Sequence, residues 1–477
     1  MIHYIQRILM LLSFMFSLAA YGQQEATLQF MTSLPQVSYN NPAFFPQYRF
    51  SLGLPGSSVA AGYFNNGFSY RDFTRKQADS IVSNPNSLFK LLGKDRNINT
   101  DVNVDLFRLS LKMGARSYFT WNITTKSINQ VYIPQNMMGI FEGGNVAFTG
   151  SKSLFAPSIE SMSYIESGWS LAYRINKDFT IGWRFKLIKG LMNATTNNPS
   201  ISLTLDPLAG KISSHVTLDA RSSGVHSVLD SAGYDVLAHW EDYLNNTGYG
   251  GDIGMTYRVK DRLTLALSVI DIGKINWKHD VYEYTIDPAT ANYTFQAIDL
   301  TRILNGDNTY LTAKLDSIGN NFKIQKAPSK TGYSNWLPAK MYLSGNFEIK
   351  QHFTLGGMFF ARYYKNQFIP GGSVSLHKDF GRRMSGSISY TVTQRTYNNI
   401  GLGFSISAAP LQFYIVGDNV LMPALAYLKS PTVQSIMNDT KYVNVRAGIN
   451  FVFGWDKLQE RQPYPIIKRK TNSVSSR

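Results

Sequence analysis

The sequence predicts an all-β protein, a transmembrane antiparallel β-barrel of about 14 strands (range about 12–16) with an N-terminal plug-like segment and long loops. Three observations lead to this prediction: the composition, the alternation of side chains along extended segments, and the lengths of the connections. Charged residues make up only 16% of the 477 residues, against roughly 25% in soluble domains. Aromatic residues reach 13%, and few charges with many aromatic side chains exclude a disordered chain.

Several segments place apolar side chains at every second position, which is the period of a strand with two different faces. Between residues 179 and 187, for example, Trp183 and Phe185 share one face, whereas Arg184 and Lys186 share the other. The polar faces are rich in Gly, Ser, Thr and Asn, as a wet lumen requires. The clearest segments are residues 179–187, 253–259, 263–269, 341–349, 384–392, 400–406 and 443–453.

Weaker segments complete the strand count, and they are residues 48–54, 102–113, 118–124, 146–151, 168–175, 353–363, 372–377 and 412–416. The alternation slips between Leu106 and Phe107, which predicts a β-bulge there. The longer segments reach about 9–11 residues, the length that crosses a bilayer when tilted. A secreted β-sandwich is the alternative, since its strands also alternate.

The connections fall into a short and a long class. Short basic turns are expected at residues 176–178, 260–262, 350–352 and 378–381, and long excursions at residues 192–250, 271–338 and 417–441. Short turns at one rim and long loops at the other are typical of an outer-membrane barrel. This asymmetry favours the barrel over the sandwich.

The two ends of the chain differ from the barrel. Residues 1–22 have a short polar start, an apolar run and small residues at Ala20 and Gly22, the pattern of a cleaved secretory signal. An uncleaved membrane anchor is the alternative, although the apolar run is shorter than the about 20 residues of a spanning helix. The expected organisation is a signal peptide at 1–22, a plug-like segment at 23–45, an outer-membrane β-barrel at 46–453 and a basic C-terminal tail at 454–477. We therefore expect export to the outer membrane.

The net charge is +16, from 47 Lys and Arg against 31 Asp and Glu. A nucleic-acid-binding protein gathers its basic residues on one helix or stripe, but here they are scattered, so we expect no nucleic-acid partner. The chain has no cysteine, which excludes disulfides, thiolate metal sites and a lipidated N-terminal Cys.

The N-terminal run at residues 34–44 resembles the opening of FadL-like outer-membrane barrels. In that family an Asn-Pro-Ala element closes the N-terminal segment inside the barrel, and Asn41, Pro42 and Ala43 match it here. Residues 249–257 and 268–277 resemble the Bacteroidota branch of these barrels, whose members are mostly of unknown function. The resemblance implies a plugged barrel with Asn41, Pro42 and Ala43 as its plug motif. The run of chain after Gly454 departs from the family pattern.

No catalytic motif is present. The seven histidines form no metal-binding pattern, and no nucleophile elbow or dinucleotide loop occurs. His377 is expected in a solvated hairpin turn with Lys378 and Asp379. We therefore expect no enzyme activity, no cofactor and no metal, although a membrane-embedded lipase with Ser and His on neighbouring strands is the alternative.

If the polar faces point inward, a set of charged residues lines the lumen and is mostly basic. Such a pore favours anionic groups. The alternative is that these charges pair with one another or with plug residues, because buried charges need partners. Arg258 and Arg262 flank a turn and have the rim as an alternative position. The lumen candidates are Arg184, Lys186, Asp252, Arg258, Arg262, Glu348, Arg362 and Arg446.

These features predict an outer-membrane β-barrel that acts as a passive channel or transporter for small hydrophobic or amphipathic molecules. The alternative is a structural, assembly or secretion-associated scaffold that binds periplasmic or surface proteins through its long loops and basic tail. In both cases outer-membrane lipid is the surrounding partner.

Overall fold

The strands of the computed structural model pair antiparallel around a closed ring of 14, which confirms the predicted transmembrane β-barrel. The structure describes residues 25–65, 74–77, 80–83, 96–133, 153–197, 199–206, 208, 211–229, 241, 245–259, 262–296, 313, 321–364, 367–393, 396–429 and 442–455.

The barrel strands follow one another around the ring in chain order. They are β1 (Tyr48–Gly53, continued by Ser58–Asn65), β2 (Arg96–Met113), β3 (Ser117–Ile133), β4 (Ser158–Arg174), β5 (Phe179–Thr196), β6 (Thr247–Val259), β7 (Leu263–Trp277), β8 (Ala339–Lys350), β9 (Phe353–Tyr364), β10 (Gln367–Phe380), β11 (Met384–Thr393), β12 (Thr396–Ala408), β13 (Leu411–Asp418) and β14 (Tyr442–Trp455).

The ring closes between the last strand and the first. Phe451 of β14 is paired with Leu411 of β13 on one side and with Leu52 of β1 on the other. The first strand also pairs with β2, so no barrel strand has a free edge. Closure satisfies the backbone hydrogen-bonding groups that lipid cannot solvate.

The alternation predicted from the sequence separates an outer from an inner face. On β5 the side chains of Trp183 and Phe185 are 47% and 48% exposed, whereas those of Arg184 and Lys186 are 3% and 1% exposed. Apolar side chains are thus exposed where the barrel faces lipid, and polar ones are buried inside it.

The strands β2 to β5 are longer than the sequence predicted. They have 17 or 18 residues each, whereas about 9–11 tilted residues cross a bilayer. Their extra residues lie toward the long-loop rim, where both faces are polar or mixed. The sequence pattern of alternating apolar and polar residues is weak in these extensions, so the predicted segments 118–124 and 168–175 were too short.

Two irregularities mark the first hairpin. The pairing of β2 with β3 shifts register between Asp105 and Phe107, where the sequence predicted a bulge. Strand β1 is interrupted between Gly53 and Ser58, and Gly56, with a φ of 76°, donates its N–H to the Asp105 carbonyl. Both irregularities lie at the same level of the barrel wall.

The connections at the short-turn rim are short, as predicted, but two of those at the opposite rim are short as well, between β9 and β10 and between β11 and β12. The long excursions contain strands of their own. Four of them form a separate sheet of Ser153–Phe155, Ser200–Asp206, Lys211–Thr217 and Asn292–Gln296. Others, Asp219–Ser223, Val281–Ile286, Ile324–Pro328 and Tyr333–Trp336, extend the barrel sheet at the rim.

The helices whose bounds fall within the described residues are short. Two 3-10 helices, Leu28–Phe30 and Pro35–Tyr39, lie near the N-terminus, and two α-helices, His226–Leu229 and Leu421–Lys429, lie in loops. In the described part of the chain, no helix is long and apolar enough to cross a membrane.

Several predictions fall outside the described residues. These are the signal peptide at 1–22, the strand at 146–151 and residues 456–477 of the tail. The closing strand was predicted to end at Phe453, but β14 continues through Gly454 to Trp455.

Candidate functional site

The inner face of the barrel carries most of the charged residues selected from the sequence. Arg184, Lys186, Asp252, Arg362 and Arg446 are buried there. Glu348 is partly buried, while Arg258 and Arg262 are exposed. The backbone N–H of Arg258 donates to the Asp178 carbonyl in the neighbouring turn, so this residue belongs to the short-turn rim and not to the lumen.

The buried charges of neighbouring strands form one ion-pair network. Lys186 Nζ lies 2.5 Å from Asp271 Oδ1 and 2.7 Å from Asp252 Oδ1. Arg184 Nη1 lies 3.0 Å from Asp252 Oδ2. Lys126 extends the network, at 2.9 Å from a Glu166 oxygen and 3.5 Å from Asp271. The network therefore joins β3, β4, β5, β6 and β7 across the lumen wall.

Arg184, Lys186 and Asp252 therefore pair with other charges, which is one of the two alternatives that the sequence left open. The sequence suggested an excess of basic residues because it missed the carboxylates of Glu166 and Asp271. It also missed one basic partner, the amine of Lys126. Lys126 and Glu166 lie on parts of β3 and β4 beyond the predicted strand ends. Arg362 differs from the others: its guanidinium lies 5.8 Å from the centre of the Tyr364 ring, and its Nε and Nη2 have no hydrogen-bond partner among the described residues.

The N-terminal segment, defined here as residues 25–47, lies against the inner face of the barrel. Its side chains at Ala26, Leu28, Met31 and Leu34 are fully buried. The apolar ones pack in two clusters with wall residues, one around Tyr342 and Phe360 and the other around Tyr414 and Val416.

Hydrogen bonds attach this segment to eight barrel strands. Its polar partners are Arg108 on β2, Arg184 on β5, the Met255 carbonyl on β6, Ser268 on β7, Ser344 on β8, Ser385 on β11, Asp418 on β13 and Asn450 on β14. Arg108 donates to the Pro35 carbonyl and to Ser38 Oγ, both at 2.6 Å. The partners of the segment thus lie on strands around most of the ring.

Asp418 binds the beginning of the segment. Its carboxylate accepts the backbone N–H groups of Ala26 at 2.9 Å and of Thr27 at 2.8 Å, and also the Thr27 hydroxyl. The hydroxyl of Tyr442 on β14 donates to the same carboxylate at 3.1 Å. Sequence reasoning missed Asp418, because nothing in a single strand shows which residue a distant backbone will meet.

The Asn41-Pro42-Ala43 motif packs on two inward-facing glycines. A Cβ at Gly182 would overlap the backbone of Pro42 and Ala43, and a Cβ at Gly254 would overlap the Asn41 side chain. Asn41 Oδ1 accepts the N–H of Ala43 at 2.8 Å, and its Nδ2 donates to the Met255 carbonyl at 3.3 Å. The motif is thus a tight turn seated on β5 and β6.

Further inward-facing glycines fit the rest of the segment. Side chains at Gly356, Gly401 and Gly403 would meet Phe30, Thr27 and Met31 respectively. The Gly residues that alternate along the polar faces therefore match the shape of one particular piece of chain.

An apolar layer occupies the lumen nearer to the long-loop rim. Trp277 and Ile275 of β7 pack there with side chains from several other strands. Trp277 also fills the space beside Gly190, where a Cβ would meet its ring. The layer consists of Ile128, Met162, Tyr164, Ile188, Ile275, Trp277, Leu337 and Tyr364.

Among the described residues, two cavities lie between the wall and the N-terminal segment. The smaller, of about 40 Å³, lies within the charged network beside Glu25 and Arg446. The larger, of about 190 Å³, lies toward the short-turn rim between the segment and strands β6 to β10. No group of residues suited to bind a metal occurs among the described positions.

The comparisons with known proteins add a family and several barrels. The profile of DUF5723, described as a family of unknown function, matches residues 42–418. No curated protein matches the sequence. A FadL homologue of Pseudomonas aeruginosa is 11% identical, covers 90% of this chain and 96% of its own, and has a TM-score of 0.43. The toluene transporter TbuX of Ralstonia pickettii is 11% identical, with 92% and 100% coverage and a TM-score of 0.42.

Proposed function

The chain belongs to the DUF5723 family of unknown function, and we propose that it is an outer-membrane channel for small hydrophobic or amphipathic molecules, plugged by its N-terminal segment. The outer membrane follows from the barrel, because single-chain barrels with short turns at one rim and long loops at the other belong to that membrane.

The size of the barrel supports a channel. Barrels of about eight strands are filled by their own side chains, whereas those of about 16–18 strands leave an aqueous passage. A ring of 14 is too wide to be filled by strand side chains alone. Here the additional volume is taken up by residues 25–47, a stretch of chain that belongs to no barrel strand.

The observation that carries the proposal is the fit between this segment and the inner wall. Inward glycines on β5, β6, β9 and β12 leave room for it, and hydrogen bonds reach it from eight strands. Many of these bonds are polar contacts that water can replace at a modest net cost of about 0.5–1.5 kcal/mol each. The segment pairs with no barrel strand, so its removal leaves the hydrogen bonds between the barrel strands intact.

Two layers above the segment support the proposed substrate class. A molecule entering from the long-loop rim meets the apolar layer around Trp277 first and the charged network of Lys186, Asp252 and Asp271 next. Apolar surface followed by polar groups suits an amphipathic molecule. In this proposal the lumen lets molecules pass and catalyses no reaction, so it needs no cofactor.

Flux through proteoliposomes tests the proposal. The full-length protein and a variant lacking residues 25–45 would be reconstituted side by side, after each is shown to be a heat-modifiable, folded barrel. We expect the full-length protein to be nearly silent, and the deletion variant to pass small solutes at a rate at least tenfold higher. Equal silence of both variants would contradict a channel.

A point variant controls for the case in which the deletion alters the barrel itself. In Asp418→Ala the segment loses the acceptor for Ala26 and Thr27 but keeps its other contacts. We expect an intermediate flux, above wild type and below the deletion variant.

The scaffold alternative rests on a different observation. The separate four-stranded sheet outside the barrel, and the strand Ile324–Pro328, whose residues are all exposed, offer surface that a channel does not need. Cross-linking in intact outer membranes tests it, because a scaffold must yield discrete products with partner proteins.

A further inference from the structure

The larger lumen cavity has walls of two kinds. On one side it is lined by the N-terminal segment, with the apolar side chains of Phe30, Val37 and Phe44. On the other side lie hydroxyl-bearing side chains of the strands, among them Thr256 and Thr264. An occupant of this cavity therefore meets an apolar surface and hydrogen-bonding groups at once.

Its volume suits one small organic molecule. An apolar cavity of about 150 Å³ accommodates benzene in another protein, and this one has about 190 Å³. Without a ligand, a partly polar cavity of this size fills with water. Water beside Phe30 and Phe44 makes few hydrogen bonds, and replacing such water by an apolar group is favourable.

The charges around the cavity favour a neutral ligand. Arg262 of the β6–β7 turn and Glu348 of β8 both line it. A ligand with one charge would be attracted by one of these groups and repelled by the other. A neutral hydroxyl can donate to a carboxylate or an amide oxygen and accept from a guanidinium, so it is compatible with both.

The cavity is reached from the short-turn rim. Arg262 lines it and is exposed at the turn between β6 and β7. His377 lies on the same side: the sequence placed it in a solvated turn, but it is a buried residue of β10, 3.3 Å from Asp379 through Nε2. The site therefore opens toward the compartment of the short turns.

We infer that this cavity binds a small neutral amphipathic molecule, of the size of phenol, which holds the N-terminal segment in place. The inference rests on the proposed plug function. Since the segment supplies one wall, the site exists only while the segment is in the lumen. A ligand that binds one state alone stabilises that state, and at tenfold above its dissociation constant it shifts the equilibrium about tenfold. Binding here closes the channel.

Phenol is the probe for the first test, with binding to the full-length protein followed by saturation-transfer NMR. We expect millimolar affinity for wild type and at least a tenfold loss in Ala266→Phe, because Ala266 lines the cavity and the new ring fills it. Leu265→Phe is the matched control: Leu265 neighbours Ala266 on β7 but is 41% exposed on the lipid face, so phenol binding should be unchanged. Equal affinity of the two variants would overturn the inference.

A second variant covers the case in which Ala266→Phe fails to fold. Thr264→Val keeps the volume of a cavity-lining residue and removes its hydroxyl, so phenol should bind several-fold more weakly while benzene binding is unchanged. Unchanged phenol binding in this variant would remove the hydrogen-bonding part of the inference.

The second test asks whether the ligand closes the channel. In proteoliposomes of Asp418→Ala, phenol at tenfold above its dissociation constant should lower flux several-fold. The barrel lacking residues 25–45 has lost one wall of the site, so its flux should not respond, which also controls for effects of phenol on the bilayer. Flux that rises with phenol would overturn the inference. If the deletion variant conducts but the wild-type protein binds no phenol, only the inference about the cavity is refuted. If the wild-type protein binds phenol but the deletion variant is silent, only the channel function is refuted.

Discussion

The Arg446 guanidinium on β14 holds the Glu25 carboxylate through two hydrogen bonds to the same oxygen, from Nε at 2.8 Å and from Nη2 at 2.6 Å. Arg446 also donates to Ser58 Oγ of β1 at 2.7 Å, and it lies over the ring of Tyr39. One side chain of the closing strand thus joins the first barrel strand to the beginning of the N-terminal segment. Both members of the ion pair are almost fully shielded from solvent.

This ion pair gives the first prediction. Arg446→Met leaves the Glu25 carboxylate shielded and without its partner, and we expect a loss of about 3–5 kcal/mol in the free energy of unfolding. Glu25→Gln likewise leaves the buried Arg446 guanidinium without its charged partner but keeps an acceptor oxygen for its hydrogen bonds, and should cost about 1–3 kcal/mol. Urea unfolding of the barrel in lipid vesicles measures both.

The double variant provides the control. In the double variant Glu25 is neutral, so losing Arg446 leaves no buried charge without a partner. The loss in the free energy of unfolding should therefore be clearly less than the sum of the two single losses. Additive costs would mean that the pair contributes nothing specific.

The second prediction concerns the seat of the Asn-Pro-Ala turn. Gly182→Val adds a side chain where the backbone of Pro42 and Ala43 lies, so the N-terminal segment cannot occupy its position on β5. We expect a folded, heat-modifiable barrel with raised solute flux in proteoliposomes. Gly357→Val is the matched control, because nothing lies within 4 Å of a Cβ at Gly357, and its flux should equal that of wild type.

The third prediction tests the two faces of the wall. Leu267 lies on the outer face of β7 and is paired with Met255 of β6. Leu267→Arg should cost about 2–4 kcal/mol in vesicle unfolding, as a charge does near the bilayer midplane. Thr256 of β6 lies one pair away and lines the larger cavity, so Thr256→Arg should cost much less. Ser268 follows Leu267 in the chain but does not serve as a control, because its side chain is buried and donates to the Asn40 carbonyl.

The fourth prediction concerns the closing strand. Removal of β14 (Tyr442–Trp455) should abolish assembly, because β13 and β1 would both lose the strand that joins them. Removal of residues 456–477 should leave a heat-modifiable barrel in the outer membrane. If both truncations fail alike in that assay, the basic tail is needed for folding.

The lipid-facing surface could be predicted from the sequence alone. A bilayer requires an apolar side chain at every outward position of a strand and tolerates polar ones only inward. The positions of Trp183 and Phe185 in the alternation therefore predict the face on which they lie, and this prediction needs no information about a neighbouring strand. The same rule placed Arg184 and Lys186 inside, and the register slip at Leu106 and Phe107 showed the bulge.

The rule fails where the outward side chains are polar. The neighbours of Lys126 and Glu166 include Thr125, Ser127 and Ser167, so the alternation carries no apolar signal there and the two charged residues were missed. The lumen position predicted for Arg258 was wrong for a related reason. Arg258 follows the alternation, but it lies at the rim, where an inward direction no longer leads into the lumen, and the residue is exposed.

What the tertiary structure alone decided is which polar groups meet. Lys186, Asp252 and Asp271 come from three strands, and Asp418 binds backbone nearly four hundred positions earlier in the chain. Periodicity is a property of one strand and its solvent, so a sequence can encode it locally. Pairing across a lumen depends on the curvature and register of the whole closed sheet, and so does the fit of Gly182 to Pro42. No local pattern contains either of them.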